Sequence, residues 1–266
     1  MFDMKNIPQS ITNKINGLTW RCDDIGMSNA TILLFEEMVL KIEKTSHYSK
    51  REQILLEWLA NKLPVPSIIK AEIKDGYSFL LMSKLTGEMS CSDNNLKNIE
   101  NTVKSLANSL KMLWQIDIKD CPCSNLVSEK LIQAKYNIEN NLVNVAHFNP
   151  ETFTTEGFKD VYDLFNFLDQ NRPDEELIFS HGDFCFPNIF LSDCKTTGFL
   201  DWGTGGIADL WQDIALCVRS LRHNCTINGI YSEAEYLQYR ALLFKELNIE
   251  PNEDKIRYFI LLDELI

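Results

Sequence analysis

The stretch from His181 to Gly203 constrains this chain of 266 residues more than any other segment does. An apolar run ends shortly before Asp183, a second run begins after Asn188, and a third run ends at Asp201. Short apolar runs separated by polar turns are typical of β-strands, and a hairpin would bring these three polar side chains to one end. The sequence therefore predicts a strand-rich site with two carboxylates and one amide.

The spacing of these residues narrows the chemistry. Turns favour Asp and Asn, so an ordinary hairpin explains each residue taken singly. Together they follow the pattern H-x-D-x-x-x-x-N and, one strand later, D-x-G. Phosphoryl transfer from a nucleotide needs one carboxylate that accepts the proton of the attacking hydroxyl, with an Asn and a second Asp that hold Mg²⁺. The compound pattern therefore favours a kinase over a plain hairpin.

This segment resembles the aminoglycoside phosphotransferase family of small-molecule kinases, which share a two-lobed fold with protein kinases. Further segments resemble the aminoglycoside 3'-phosphotransferase branch, and matches run from about Gly26 to the last residues. They read KLPVP at 62–66, LMS at 81–83, DIALCVRS at 213–220 and ILLDEL at 260–265. The resemblance implies an α+β, protein-kinase-like fold, with a small five-stranded antiparallel sheet lobe carrying one helix and a larger, mainly helical lobe.

The pattern of elements divides the chain in the same way. Two or three strands over residues 18–44, one helix and two further strands predict a nucleotide-binding lobe at residues 1–82. Residues 83–86 are the expected hinge. Helical periodicity from Asp93 onward predicts that residues 87–266 form the catalytic and substrate-binding lobe.

Lys41 and Glu52 are the predicted centre of the nucleotide site. A lysine within an apolar strand is usually an edge residue that reaches water, whereas in kinases it holds the α and β phosphates. Glu52 either closes a capping box with Ser49 or pairs with the lysine. The resemblance favours the phosphate-binding lysine and the ion pair.

A loop and the hinge complete the nucleotide site that the resemblance implies. A turn with Met27 and Ser28 would lay backbone N–H groups and a hydroxyl over the phosphates. Backbone groups of the hinge would bond the base, at Met82, Ser83 and Leu85. Val39 stands where the family often stacks an aromatic ring on the base. ATP and GTP therefore both remain candidates, with Mg²⁺ as the metal ion.

The resemblance also assigns the catalytic roles. Asp183 is the base or aligner for the 3'-hydroxyl of an aminoglycoside, while Asn188 and Asp201 bind Mg²⁺. Two more acids, Asp209 and Asp213, lie one helical turn apart near a helix start, where the macrodipole favours negative charge. One of these two is expected to brace the catalytic loop.

The predicted acceptor site lies at the end of the chain and beside the catalytic loop. Asp263 and Glu264 would pair with ammonium groups of the acceptor, and Arg219 and Phe186 would lie in the same pocket. Acidic residues at a helix C-terminus oppose the helix dipole. That cost favours a functional reason for the two acids.

Four positions depart from the family pattern. Thr204 replaces an arginine, His223 replaces a glutamate, and Ile266 replaces an aromatic residue. Phe186 stands where some members have an aspartate, although others carry an apolar residue followed by proline. Fewer carboxylates predict weaker or narrower binding of aminoglycosides.

The net charge of −12 lies entirely in the second part of the chain. Residues 1–150 carry 17 basic and 17 acidic side chains, and residues 151–266 carry 9 and 21. This asymmetry argues against nucleic acid as a partner and suits a cationic ligand, although solubility alone is the simpler explanation. Without a long apolar run or a signal-peptide core, the sequence predicts a cytoplasmic protein with no membrane partner. It leaves open a monomer or a homodimer.

Three functions remain open at this point. The first is an aminoglycoside 3'-phosphotransferase that gives antibiotic resistance. The second is a kinase of the same fold that acts on another amine, sugar or macrolide hydroxyl. The third is a non-catalytic nucleotide-binding module, which is disfavoured because all five residues of the kinase pattern are present.

Overall fold

A five-stranded antiparallel sheet forms the small lobe. The computed structural model describes residues 6–22, 30–149, 152–154, 157–227 and 230–266. The strands of the sheet are β1 (Arg21–Cys22), β2 (Thr31–Leu34), β3 (Met38–Lys44), β4 (Ile68–Lys74) and β5 (Tyr77–Ser83). Their order is β1-β2-β3-β5-β4, so β3 has a neighbour on each side. Lys41 therefore lies inside the sheet, and its interpretation as an edge residue is wrong.

Two helices pack on this sheet, and the prediction of a single helix is wrong. The helix α1 (Gln9–Ile15) buries Ile11 and Ile15 with one face of the sheet, and α2 (His47–Leu59) packs on the other. Successive side chains of a strand point to opposite faces. In β5 the apolar residues are continuous, so both faces carry apolar side chains that need cover.

The start of α2 settles the two interpretations of Glu52. The helix is capped by Ser46, whose hydroxyl accepts from the Ser49 amide at 3.1 Å, while the Ser49 hydroxyl accepts from the Ser46 amide at 2.9 Å. This capping box leaves Glu52 one turn further along the helix, on its buried side. Glu52 is therefore not the capping residue.

The chain leaves the first sheet after Ser83 and enters a second one at Glu88. That sheet contains β6 (Glu88–Met89), β8 (Ile189–Ser192) and β9 (Lys195–Phe199) in the order β6-β8-β9. The remaining strands, β7 (Leu177–Ser180) and β10 (Gly206–Asp209), pair with each other. The predicted hairpin is therefore β8–β9, and its residues Ile189 and Phe199 face each other at its open end.

Helices make up most of the second lobe. They are α3 (Asp93–Lys97), α4 (Ile99–Trp114), α5 (Val127–Glu139), α6 (Val161–Gln170), α7 (Leu210–Arg222), α8 (Glu233–Leu247) and α9 (Glu253–Asp263). The helix predicted from Asp93 is interrupted at Asn98, whose backbone leaves helical geometry. The helix α4 packs on α8, and α7 packs on α9. In the part of the chain that the structure describes, no helix combines the length and the apolar character needed to cross a membrane.

Candidate active site

Lys41 joins the two lobes through two carboxylates. Its Nζ lies 2.9 Å from Glu52 Oε2, which α2 supplies, and 2.7 Å from Asp201 Oδ1, which follows β9. Burial alone would lower the pKa of Lys41, but the charges of Glu52, Asp201 and Glu43 outweigh it and raise the pKa. The lysine is therefore a permanent cation at the mouth of the cleft between the lobes.

The loop between β7 and β8 carries the second part of the motif. Asn188 ends a short 3₁₀ turn, and its Nδ2 donates to Asp183 Oδ2 at 2.9 Å and to the Asp183 carbonyl oxygen at 3.0 Å. Because the amide nitrogen faces Asp183, the amide oxygen of Asn188 lies on the other side. Burial raises the pKa of Asp183, and the negative charge of Asp263 raises it further.

Asp213 fixes the first residues of this loop through hydrogen bonds to their backbone amides. Its carboxylate accepts from the amides of His181, at 2.7 Å, and Gly182, at 2.9 Å, and it is fully buried. Gly182 has a φ of +83°, and a Cβ there would collide with the carbonyl oxygen of Thr204. The His181 ring is also buried and packs 4.4 Å from the Trp202 ring, centroid to centroid. Asp213 and His181 thus support the loop from the protein interior.

Asp209 has a different task from Asp213. Its carboxylate caps α7 by accepting from the Trp211 amide at 2.7 Å, and it also accepts from the Glu176 amide at 2.8 Å. Lys255 forms an ion pair with it at 2.9 Å. Of the two acids that were candidates for bracing the loop, the contact to the loop is made by Asp213.

The segment after Asp201 is held by residues that the sequence pattern did not indicate. Arg51 Nε of α2 donates to the Gly205 carbonyl oxygen at 2.8 Å, and its Nη2 donates to the Ser124 carbonyl oxygen. Asn125 Nδ2 donates to the Thr204 carbonyl oxygen at 2.7 Å. The one sequence feature that could have indicated Arg51 is its position directly before Glu52, because that helix was already predicted to contribute a residue to the site.

A cavity of about 690 Å³ lies beside these groups. Its lining includes Lys41, Asp183, Asp201 and Asp263. Arg219 Nη2 forms an ion pair with Asp263 Oδ2 at 2.6 Å. The structure thus brings Asp263 and Arg219 together beside Asp183.

Two predicted acceptor residues lie elsewhere. Glu264 accepts from the Asn149 amide at 2.7 Å and from the Thr152 hydroxyl at 2.9 Å, so its carboxylate is already engaged. The Phe186 ring is fully buried, because the 3₁₀ turn directs it into the core, and its predicted contact with substrate is wrong. Of the departures from the family pattern, Thr204 and Ile266 line the cavity, and His223 is exposed at the end of α7.

The hinge residues lie where the chain crosses between the sheets. The Met82 side chain is buried, and Ser83 pairs with Ser67 through its backbone amide and its hydroxyl, both at 2.9 Å. Leu85 packs against Gly198 of β9, where a Cβ would collide with it. Met27 and Ser28 lie outside the described residues.

Comparison with known proteins shows that this chain is similar to phosphotransferases. A sequence model of the phosphotransferase enzyme family matches residues 20–242. The chain is 39% identical over 259 residues to an aminoglycoside 3'-phosphotransferase of Enterococcus faecalis, covering 92% of this chain and 94% of that one. It is 38% identical over 258 residues to a protein of the same name from Staphylococcus aureus, with the same coverage of both chains.

Solved structures share the fold. The aminoglycoside phosphotransferase APH(3'')-Id of Streptomyces rimosus superposes with a TM-score of 0.84 at 19% identity, covering 100% of this chain and 99% of that one. An aminoglycoside-3'-phosphotransferase of type VIII gives 0.81 at 22% identity, covering 97% of each chain. The family model matches most of the length of this chain, and the two relatives named above are 38–39% identical to it. The chain therefore belongs to the phosphotransferase enzyme family.

Proposed function

We propose that this chain transfers the γ-phosphate of ATP to the 3'-hydroxyl of an aminoglycoside and thereby gives antibiotic resistance. The observation that carries the proposal is the convergence of Lys41, Asp201 and Asp183 on one cleft that Asp263 also lines. The relatives at 38–39% identity carry the name aminoglycoside 3'-phosphotransferase. The Streptomyces rimosus protein of the same fold has been solved with ADP and streptomycin. GTP remains an alternative donor.

Lys41 would hold the α and β phosphates. Glu52 is 3% exposed and bonds the ammonium from one side, so it fixes the direction in which the lysine points. The contact of Lys41 with Asp201 occupies one carboxylate oxygen and leaves the other for a metal ion. A triphosphate would then contact Lys41 directly and Asp201 through the metal ion.

The residues present suit Mg²⁺, which prefers oxygen ligands. Asn188 turns its amide nitrogen to Asp183 and so keeps its oxygen for the ion, and Asp201 is half-exposed at the cleft. When bound, Mg²⁺ would neutralise charge on the phosphates. Asn188 thus has two tasks, because the same amide also fixes the carboxylate of Asp183.

Asp183 would align the acceptor hydroxyl and take its proton. In a loose transition state the proton leaves late, so positioning supplies most of the rate. The positioning is visible in the support of the loop by Asp213 and Asn188. Asp263 would attract an ammonium group of the acceptor.

A kinase of the same fold acting on another amine, sugar or macrolide hydroxyl is the second candidate. It is favoured by the engagement of Glu264 with Asn149 and Thr152, which removes one expected carboxylate from the acceptor side. The acceptor therefore needs a direct test.

The test compares kanamycin with tobramycin, which lacks the 3'-hydroxyl, by release of nucleoside diphosphate in the presence of Mg-ATP. Turnover with kanamycin and not with tobramycin, abolished in Asp183→Ala, is the expected result. Release with neither compound despite nucleotide binding would redirect the search to other acceptors.

A further inference from the structure

The helix α5 places polar side chains on its buried face. Val127, Leu131 and Ala134 are buried there in the usual helical spacing, and Lys130 is 6% exposed among them. Further along the same face, Asn137 Nδ2 donates to the Leu265 carbonyl oxygen at 3.0 Å. The polar residues of α5 therefore face the end of α9, where the acceptor side of the cleft lies.

Lys130 lines the cavity together with Asp183 and Asp263. Lysine is rarely buried unless it is paired, and two other lysines with little exposure form close ion pairs, Lys41 with Glu52 and Lys255 with Asp209. Within the described residues, no carboxylate lies within 4.0 Å of the Lys130 ammonium. A mostly buried lysine whose ammonium has no close carboxylate is unusual, so its position at the cavity calls for a functional explanation.

The charges around Lys130 come from several elements. Burial lowers the pKa of Lys130, and the charges of Asp263 on α9, Asp213 on α7 and Asp183 on the catalytic loop oppose that effect only in part. Arg51 on α2 is a distant positive neighbour that also lowers the pKa. Lys130 thus lies in the combined field of three carboxylates and touches none of them closely.

The cavity is lined by more acidic than basic side chains, but positive charges offset the carboxylates on its acceptor side. Lys130 lies there with Asp183 and Asp263, and Arg219 is paired with Asp263. An ammonium group of an acceptor that docks here meets Lys130 as a like charge. A hydroxyl group meets no such repulsion and can accept a hydrogen bond from the lysine.

We infer that Lys130 is a specificity-determining residue of the acceptor cleft, which favours a hydroxyl and disfavours an ammonium at the acceptor position nearest to the Lys130 ammonium. The inference rests on the proposed function, because it concerns which aminoglycosides the same site prefers. It goes beyond that function by naming the residue and the substituent that it selects.

Two matched pairs of aminoglycosides test the inference. Neomycin B and paromomycin differ by an amine or a hydroxyl at the 6' position, and kanamycin B and kanamycin A differ in the same way at the 2' position. The quantity measured is the ratio of kcat/KM for the amine to kcat/KM for the hydroxyl within each pair. In Lys130→Met this ratio should rise by about tenfold or more for at least one pair, which corresponds to about 1.4 kcal/mol.

Two control variants separate this effect from a general loss of positive charge. Lys135→Met makes the same change on the exposed face of α5, where Lys135 is 64% exposed and lies 4.0 Å from Glu139. It should leave both ratios at the wild-type value. Lys130→Arg keeps the charge and should also keep the wild-type ratios.

Unchanged ratios in folded Lys130→Met would overturn the inference, even if activity falls, because a purely structural lysine would affect both members of a pair equally. If Lys130→Met does not fold, Lys130→Gln is measured in the same way. If the wild-type protein turns over none of the four compounds, the proposed function fails. Calorimetric binding of the same four compounds then decides the role of Lys130 separately.

Discussion

Replacing Arg51 with Met should loosen the segment that follows Asp201 and lower both stability and turnover. Arg51 reaches from α2 to the carbonyl oxygens of Gly205, at 2.8 Å, and Ser124. Each hydrogen bond from a charged donor contributes roughly 1.5–3 kcal/mol, and a carbonyl group left without a partner adds to the loss. Because Arg51 is only partly buried, water can hydrogen-bond the two carbonyl oxygens in the variant and offset part of this loss. We therefore expect the free energy of unfolding to fall by about 2–4 kcal/mol.

The loss is measured by thermal unfolding and by turnover with Mg-ATP. For a chain of this size it corresponds to a fall in Tm of roughly 5–15 °C. Turnover should fall by about tenfold, because displacement of Asp201 also moves its contact with Lys41. Arg51→Lys should recover only part of both, since a lysine ammonium does not reproduce the fork geometry of a guanidinium.

Lys50→Met is the matched control for Arg51→Met. Lys50 precedes Arg51 on the same helix and is exposed, so its loss should leave Tm and turnover close to those of the wild type. A Tm of Arg51→Met equal to that of Lys50→Met would refute the role of the guanidinium in holding the two lobes. A fall in Tm with unchanged turnover would refute its connection to Asp201.

Three further predictions concern groups around the catalytic loop. Asp213→Asn should lower Tm and reduce kcat at least about tenfold. The amide that replaces the carboxylate leaves one buried backbone N–H without an acceptor, which costs roughly 1–3 kcal/mol. An unchanged kcat would contradict the bracing role of Asp213. Burial and the neighbouring Asp183 charge raise the pKa of the Cys185 thiol, so at pH 8 alkylation followed by mass spectrometry should be slower there than at the exposed Cys22 and Cys194. Alkylation of Cys185 should become faster in Asp183→Asn. Asp263→Asn should raise KM for the aminoglycoside by about tenfold, equivalent to about 1.4 kcal/mol, whereas Glu264→Gln should mainly lower Tm; the opposite pattern would reverse their assignment.

The parts of the site that the sequence predicted are those encoded in local spacing. The pattern around Asp183, Asn188 and Asp201 lies in one loop and one hairpin, so chain connectivity alone brings these residues close together. The pair of Lys41 and Glu52 required the resemblance, because the two residues lie on different elements. Without it, the edge-strand and capping interpretations had equal claim.

The parts that the sequence missed depend on how separate elements meet. The helix α1 carries polar residues between its isoleucines, and its role became visible only with the second apolar face of the sheet. Arg51 and Lys130 are ordinary helix residues in sequence, and their importance comes from the carbonyl groups and carboxylates that other elements bring to them. Phe186 was misassigned because an apolar residue in a loop gives no sign of which way the turn directs it.

The two acids at the end of α9 explain why the acceptor side is less negative than the net charge suggests. Consecutive residues of a helix point about 100° apart, so Asp263 and Glu264 cannot both face the same small site. Asp263 takes the cavity side, where Arg219 already pairs with it, and Glu264 instead holds Asn149 and Thr152. Because Lys130 lines the same cavity as Asp263, the attraction of Asp263 for a cationic acceptor is opposed at the substituent that lies nearest to Lys130. Discrimination between acceptors should therefore depend on single substituents near Lys130 more than on the total number of their amines.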